Sequence, residues 1–237
     1  MSRIHGSLRS LKEVSGYYRL RGKRPRVSTD ERHRMELVKT ISKNVDLERP
    51  FVYFPLHLQP ELTTSALGDE YRDQVLAIER LSRWVPADTL IYLKENPKQT
   101  HRWREPPFYE RIRTLKNVRL LPTETNTYQL IEKSHFIATI TGTVGWEATS
   151  GGKPVVVFGR PWYLQLRGVH PWHPTLEPLR VKNDEWTQDE FQASFDSLLE
   201  FSRPGIVDMN YTKAVENHDS AANSRFVAEF LKAQLVI

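Results

Sequence analysis

The residues best suited to chemistry lie between Ala138 and Tyr163, where an apolar stretch, a polar turn, a helix-forming segment and a second apolar stretch follow one another. The turn Thr141-Gly142-Thr143 comes directly after Phe136–Ile140 and opens the helix. A turn of this kind presents free backbone amides and the positive end of a helix, which favours a bound phosphate. Thr141 and Thr143 offer hydroxyl donors, and Gly142 allows a close backbone approach. Together they point to a nucleotide or sugar-phosphate ligand. The simpler reading is a helix cap at Thr143, which leaves the neighbouring Thr-Gly unexplained. Glu147, one turn into the helix, has a carboxylate that can accept from a ribose diol, or it serves only as a partner of the helix dipole.

Two further clusters follow apolar segments. Lys94-Glu95-Asn96-Pro97 comes after one of them, where open α/β sheets bind ligands; Lys94 there either neutralises phosphate or belongs to a solvated turn. His57, Gln59 and Glu61 follow Phe51–Phe54 and either line the same cleft or form a polar loop. His170-Pro171-Trp172-His173-Pro174 supplies two imidazoles without a third ligand, so no metal is expected. Trp162, Tyr163 and Trp172 can stack on a base or sugar or simply cover the edge of a sheet. No side chain stands out as a general base, so catalytic residues stay unassigned.

The elements that must position these groups alternate. Strands are expected at 51–54, 89–93, 118–121, 136–140 and 155–158, and helices at 70–85, 108–115, 126–133 and 144–150. Tyr71, Val75, Ile78, Leu81 and Val85 recur at helical spacing, and Thr125 or Asn126 caps the third of these helices. Gly151-Gly152 ends the fourth. Further helices are expected around 31–43, after the capping box Thr187–Glu190 (burying Phe191, Phe195, Leu198 and Leu199), and over 221–235. The fold class is α/β, a Rossmann-like and mostly parallel sheet with helices on both faces. Three regions follow: 1–50, a basic N-terminal arm or linker with one helix; 51–205, a Rossmann-like domain; and 206–237, a C-terminal helical extension.

The chain has 237 residues and a net charge of +5. Residues 1–34 carry ten Lys and Arg against three Asp and Glu, leaving the remainder slightly acidic. This arm reads as a solvated linker, or as a peripheral contact with anionic lipid at the inner face of a membrane. Nothing in the core supports nucleic-acid binding. Cysteine is absent, which removes disulfides and thiolate metal sites and permits a cytoplasmic location. No apolar run resembles a membrane span or signal peptide.

Several separated motifs then agree in order: Tyr53-Phe54-Pro55-Leu56-His57 with Gln59-Pro60-Glu61, Tyr92-Leu93-Lys94-Glu95-Asn96-Pro97, Thr141 to Ala148, Gly152-Lys153-Pro154-Val155 and Phe158-Gly159. This set resembles the capsule polysaccharide biosynthesis family of Kdo-transferase-like GT-B glycosyltransferases, closely over 50–165 and loosely beyond. The resemblance implies the C-terminal, donor-binding domain of such an enzyme. It implies transfer of a sugar from a nucleotide-activated donor, such as CMP-Kdo, to a surface polysaccharide or glycolipid acceptor, with no cofactor besides the donor. Lys94, Asn96, Thr141, Gly142, Thr143 and Glu147 would bind the donor, and His57, Gln59 and Glu61 would line the cleft. Relatives often have His where Asn96 stands, so a proton-transferring role there is not expected. The acceptor-side domain has no counterpart in 1–50, which implies a partner chain supplying it. Other readings are a non-catalytic nucleotide-sugar-binding subunit and a nucleotide-sugar epimerase.

Overall fold

The computed structural model describes residues 28–42, 45–207 and 209–235. Its centre is one six-stranded sheet, parallel throughout, in the order β3-β2-β1-β4-β5-β6. The strands are β1 (Phe51–Pro55), β2 (Leu90–Lys94), β3 (Val118–Leu121), β4 (Ile137–Thr139), β5 (Val155–Val157) and β6 (Val169–Pro171). β6 lies in the Pro- and Trp-rich stretch, where no strand is expected from periodicity. Pro171, its last residue, sits on the outer strand of the sheet, where a missing N–H costs no ladder bond.

The period-two alternation of β1 builds both cores. Val52 and Phe54 join one cluster with Ile91, Leu93 and Val156. Phe51 and Tyr53 join the other with Tyr92, Ile137 and Val157. Burying each such side chain contributes about 1.5–3 kcal/mol. A strand buried on both faces reads as a continuous apolar run, which is why FVYF is the clearest strand in the chain.

Helices cover both faces. α1 (Thr29–Thr40) is opened by a Ser28 capping box and packs on the domain through Leu37. α2 (Leu62–Leu67), missed from sequence, is a short turn of helix followed by a 3-10 turn, Asp69–Arg72. α3 (Gln74–Trp84) starts at Asp73, whose carboxylate caps Val75, so the helix expected over 70–85 is two elements. α4 (Pro106–Thr114), α5 (Thr127–Lys133, capped by Asn126) and α6 (Thr143–Ser150, ended by Gly151) match the periodic segments within two residues. α7 (Pro178–Lys182), α8 (Gln188–Glu200), a 3-10 turn (Met209–Ala214) and α9 (Ser220–Leu235) complete the chain. Of the side chains expected to be buried by α8, Phe191 is, Phe195 and Leu198 are partly so, and Leu199 is exposed because it lies on the helix's outer side. The basic segment before residue 28 lies outside the described residues.

The order of the strands locates the crevice. The chain adds β2 and β3 on one side of β1, then crosses over through α5 to lay β4 on its other side. The loops leaving β1 and β4 therefore part in opposite directions at the carboxyl edge, and such a switch point is where open α/β sheets take ligands.

Candidate functional site

His57 and Thr139 meet at this switch point. His57 follows β1 and is only 7% exposed. Its Nε2 lies 3.0 Å from Thr139 Oγ1, at the end of β4, and accepts the Ile140 N–H at 3.1 Å. Thr139 Oγ1 in turn accepts the Gly142 N–H at 3.2 Å. Because Nε2 is an acceptor, the proton of the neutral ring belongs on Nδ1. Burial, with the Arg104 charge adding to it, pushes the imidazole down to about 4, so the ring is neutral near pH 7.

This pair supports the start of α6. The residue before the helix is Gly142, so no side chain caps it. The N–H groups of Thr143 and Val144 have no acceptor among the described residues. The Gly142 carbonyl accepts from the buried Tyr163 hydroxyl, which anchors the turn from below. A Cβ at Gly142 would stand 2.8 Å from His57 Cε1 and 3.0 Å from Thr139 Oγ1, so the position admits only glycine without movement. Thr143, the first residue of α6, and Glu147, one turn further on, are exposed. Thr141 is placed differently from expectation. Its Oγ1 is buried without a partner, and its Cγ2 packs where a Cβ of Gly159 would be, 2.8 Å away. Only one of the two threonine hydroxyls therefore stands at the surface.

A buried polar network fixes the loop after β1. Gln74 Oε1 accepts the His57 N–H at 2.8 Å, and its Nε2 donates to the His57 carbonyl and to Gln59 Oε1. Arg104 is 0% exposed. It donates from Nε to Glu95 Oε2 at 2.9 Å, from one terminal nitrogen to Gln59 Oε1 at 3.0 Å, and from the other to the His57 carbonyl at 2.8 Å. Tyr109 Oη donates to Glu95 Oε2 at 3.1 Å. A buried ion pair is tolerable when its remaining hydrogen-bonding capacity is filled in this way. Gln59 is consequently not a cleft-lining side chain. Its amide is consumed by Arg72, Gln74 and Arg104, and it is 3% exposed.

Lys94 ends β2, and its ammonium donates to the Thr125 carbonyl at 2.8 Å and to Thr127 Oγ1 at 2.7 Å. The structure thus ties it to the start of α5. Partial burial lowers its affinity for a proton. Asn96 Oδ1 accepts the Lys98 N–H at 2.9 Å in a local turn. Glu61 is exposed at the start of α2 and makes no capping bond. His170 Nε2 pairs with Asp184 at 2.9 Å. Trp172 stacks on Phe158 in the core, Tyr163 is fully buried, and Trp162 is exposed.

Thr139, Gln74 and Arg104 were not among the expected site residues. Gln74 was legible, being a polar side chain on the apolar stripe of Tyr71, Val75 and Ile78. Thr139 was not, because a threonine inside a strand is ordinary. Arg104 sits in an aperiodic loop where nothing distinguishes it from a solvated arginine.

Comparison with known proteins gives modest pairwise similarity. Capsule polysaccharide modification protein LipA of Neisseria meningitidis is 29% identical over 86 residues, 36% of this chain and 12% of LipA. Among solved structures, the Thermosulfurimonas dismutans KpsC β-Kdo 2,7 transferase aligns at 18% identity and a TM-score of 0.45, covering 74% of this chain and 54% of that one. The UDP-GlcNAc 2-epimerase of Methanocaldococcus jannaschii aligns at 14% identity and a TM-score of 0.41, covering 73% and 44%. The chain thus spans about half, or much less, of the length of these proteins. The family model described as "Capsule polysaccharide biosynthesis protein" matches residues 4–203, most of the sequence, and the chain belongs to that family.

Proposed function

We propose that this chain is the donor-binding part of a glycosyltransferase that moves a sugar from a nucleotide-activated donor to a surface polysaccharide or glycolipid acceptor. The observation that carries the reading is the uncapped start of α6 at the switch point, braced by His57 and Thr139. Donor phosphate accepts from the Thr143 and Val144 amides and the Thr143 hydroxyl. These groups are fixed before the ligand arrives, so they stabilise negative charge developing on the leaving phosphate without reorganising. The helix dipole adds to this. Glu147, one turn further, accepts from the ribose hydroxyls. Membership of a capsule polysaccharide family supports a sugar nucleotide over other phosphates.

Calorimetric titration of the purified chain with CMP, UDP, GDP and CMP-Kdo tests the reading. Selective binding of one nucleotide, weakened in Thr143→Ala and Glu147→Ala, is the expected result. A folded chain that binds none of the four, or whose binding ignores both substitutions, overturns it.

A further inference from the structure

Trp103 carries an indole that is 53% exposed on a backbone at φ 61°, the left-handed region that L residues with side chains avoid. Such a conformation persists only when the surroundings dictate it. Here they do. Gln99 Nε2 donates to the Arg102 carbonyl at 2.7 Å and to the Gln59 carbonyl at 2.9 Å, while Gln99 Oε1 accepts the Gln59 N–H at 2.9 Å. Arg104, wholly buried in the network described above, donates to the Trp103 carbonyl at 3.2 Å, and its N–H reaches the His101 carbonyl at 3.1 Å. The loop is anchored on both sides of Trp103 while the indole is left outside.

The indole stands in the wall of a cavity of about 760 Å³ at the carboxyl edge of the sheet, with Phe108 and Pro60 as further apolar surface. Arg102 and Glu105 also line it, and neither side chain has a partner among the described residues. The cavity lies at the starts of α3 and α4, which pack on one face of the sheet, whereas α6 packs on the other. A nucleotide on α6 therefore leaves this cavity empty for a second molecule.

We infer that the Trp103 cavity is a saccharide-binding subsite. A pyranose ring has an apolar C–H face and a rim of hydroxyls that both donate and accept. An exposed aromatic face on an anchored loop, in a cavity that also holds one free guanidinium and one free carboxylate, matches that chemistry on all three counts. The inference rests on the glycosyltransferase reading only for the saccharide's role as acceptor. The Gln59–Pro60 loop, shared by this cavity and the loop leaving β1, then links the acceptor side to the donor crevice.

The test is binding of the full chain to an array of bacterial oligosaccharides without nucleotide, using wild type, Trp103→Gly and Trp103→Phe. Binding of at least one saccharide class, reduced roughly tenfold or more in Trp103→Gly and largely kept in Trp103→Phe, is expected. The melting temperature of Trp103→Gly stays near wild type, because relief of the left-handed backbone offsets the greater freedom of glycine in the unfolded chain. No saccharide bound, or equal binding by Trp103→Gly, overturns the inference. So does a finding that Trp103 instead governs nucleotide affinity or self-association in sedimentation. Nucleotide titration of Thr143→Ala reports on the donor reading separately, so the two failures are distinguishable.

Discussion

His57 Nε2 and Thr139 Oγ1 lie 3.0 Å apart, joining the ends of β1 and β4 across the point where the two loops diverge. The contact does two things at once. With Nε2 already accepting the Ile140 N–H, the Thr139 hydroxyl donates to the ring, and its oxygen still holds the Gly142 N–H. The start of α6 is thereby referenced to the centre of the sheet and not to a surface loop. Thr139→Val removes the hydroxyl at nearly constant volume. It leaves the Gly142 N–H without its acceptor, which costs about 1–3 kcal/mol of stability. Chemical denaturation of the two proteins side by side checks this, and nucleotide affinity falls with it.

The buried imidazole also sets a pH dependence. Its native pKa, about 4, lies below the ordinary value of about 6.5 in an unfolded chain. The unfolded state therefore takes up the proton first as the pH drops. Stability is full above pH 6.5 and is lost between about 6.5 and 4, by up to about 3 kcal/mol from this group. His33, His135 and His170 are shifted in the same direction by burial, so the total loss is not His57's alone. His57→Gln retains an acceptor but no titration. The difference in unfolding free energy between wild type and His57→Gln should shrink over that window and stay constant above it.

Two glycines, one just before α6 and one within it, separate packing from binding. Gly145 lies against Tyr163, and a Cβ there would stand 2.2 Å from Tyr163 Oη. At Gly142 the obstruction is the edge of His57, 2.8 Å away. Both alanine variants force repacking at a cost of about 1–3 kcal/mol. Gly142→Ala displaces His57 and Thr139, which hold the turn that opens α6, so on the proposed donor site it should lose nucleotide affinity more strongly than Thr143→Ala does. Thermal melts and calorimetry on the same preparations resolve the two effects.

Much of this architecture was legible in the chain itself. Five of the six strands and the parallel α/β class follow from apolar runs alternating with helical periods, because a doubly covered sheet leaves that pattern. The sixth strand was hidden by Pro171, and the helix over 70–85 was split by a cap at Asp73 that periodicity does not register. At the site, the turn at Gly142 was legible because Thr-Gly-Thr stands between an apolar strand and a helix-forming segment. Which way Gln59, Lys94 and Thr141 point was not, since that depends on partners distant in sequence: Arg104, Thr127 and Gly159. A polar side chain beside an apolar strand reads the same whether it faces a ligand or a buried arginine.

Lys94 gives a direct test of that distinction. Its two hydrogen bonds tie β2 to the start of α5. Lys94→Met keeps the aliphatic stem and removes both, so stability should fall by about 1–2 kcal/mol. Nucleotide affinity should change less than twofold, because the ammonium is already engaged by two protein acceptors. A large affinity loss with little change in melting would instead place the ammonium on donor phosphate.

The Arg104–Glu95 pair is the sharpest energetic prediction. Both side chains are buried, 2.9 Å apart, and the guanidinium also holds Gln59 and the His57 carbonyl. Arg104→Leu leaves the Glu95 carboxylate in the core with only Tyr109 Oη and the Asn96 N–H as donors. Removing one partner of such a pair costs about 3–5 kcal/mol. Glu95→Leu strands the arginine in the same way. The double replacement removes both charges, so it should be less destabilised than the sum of the singles, and a double-mutant cycle measures that shortfall. The doubly apolar protein still lacks the braces on Gln59 and His57. Its nucleotide and saccharide affinities should therefore remain reduced even where its melting temperature recovers, because the ion pair orders two loops in addition to holding the core.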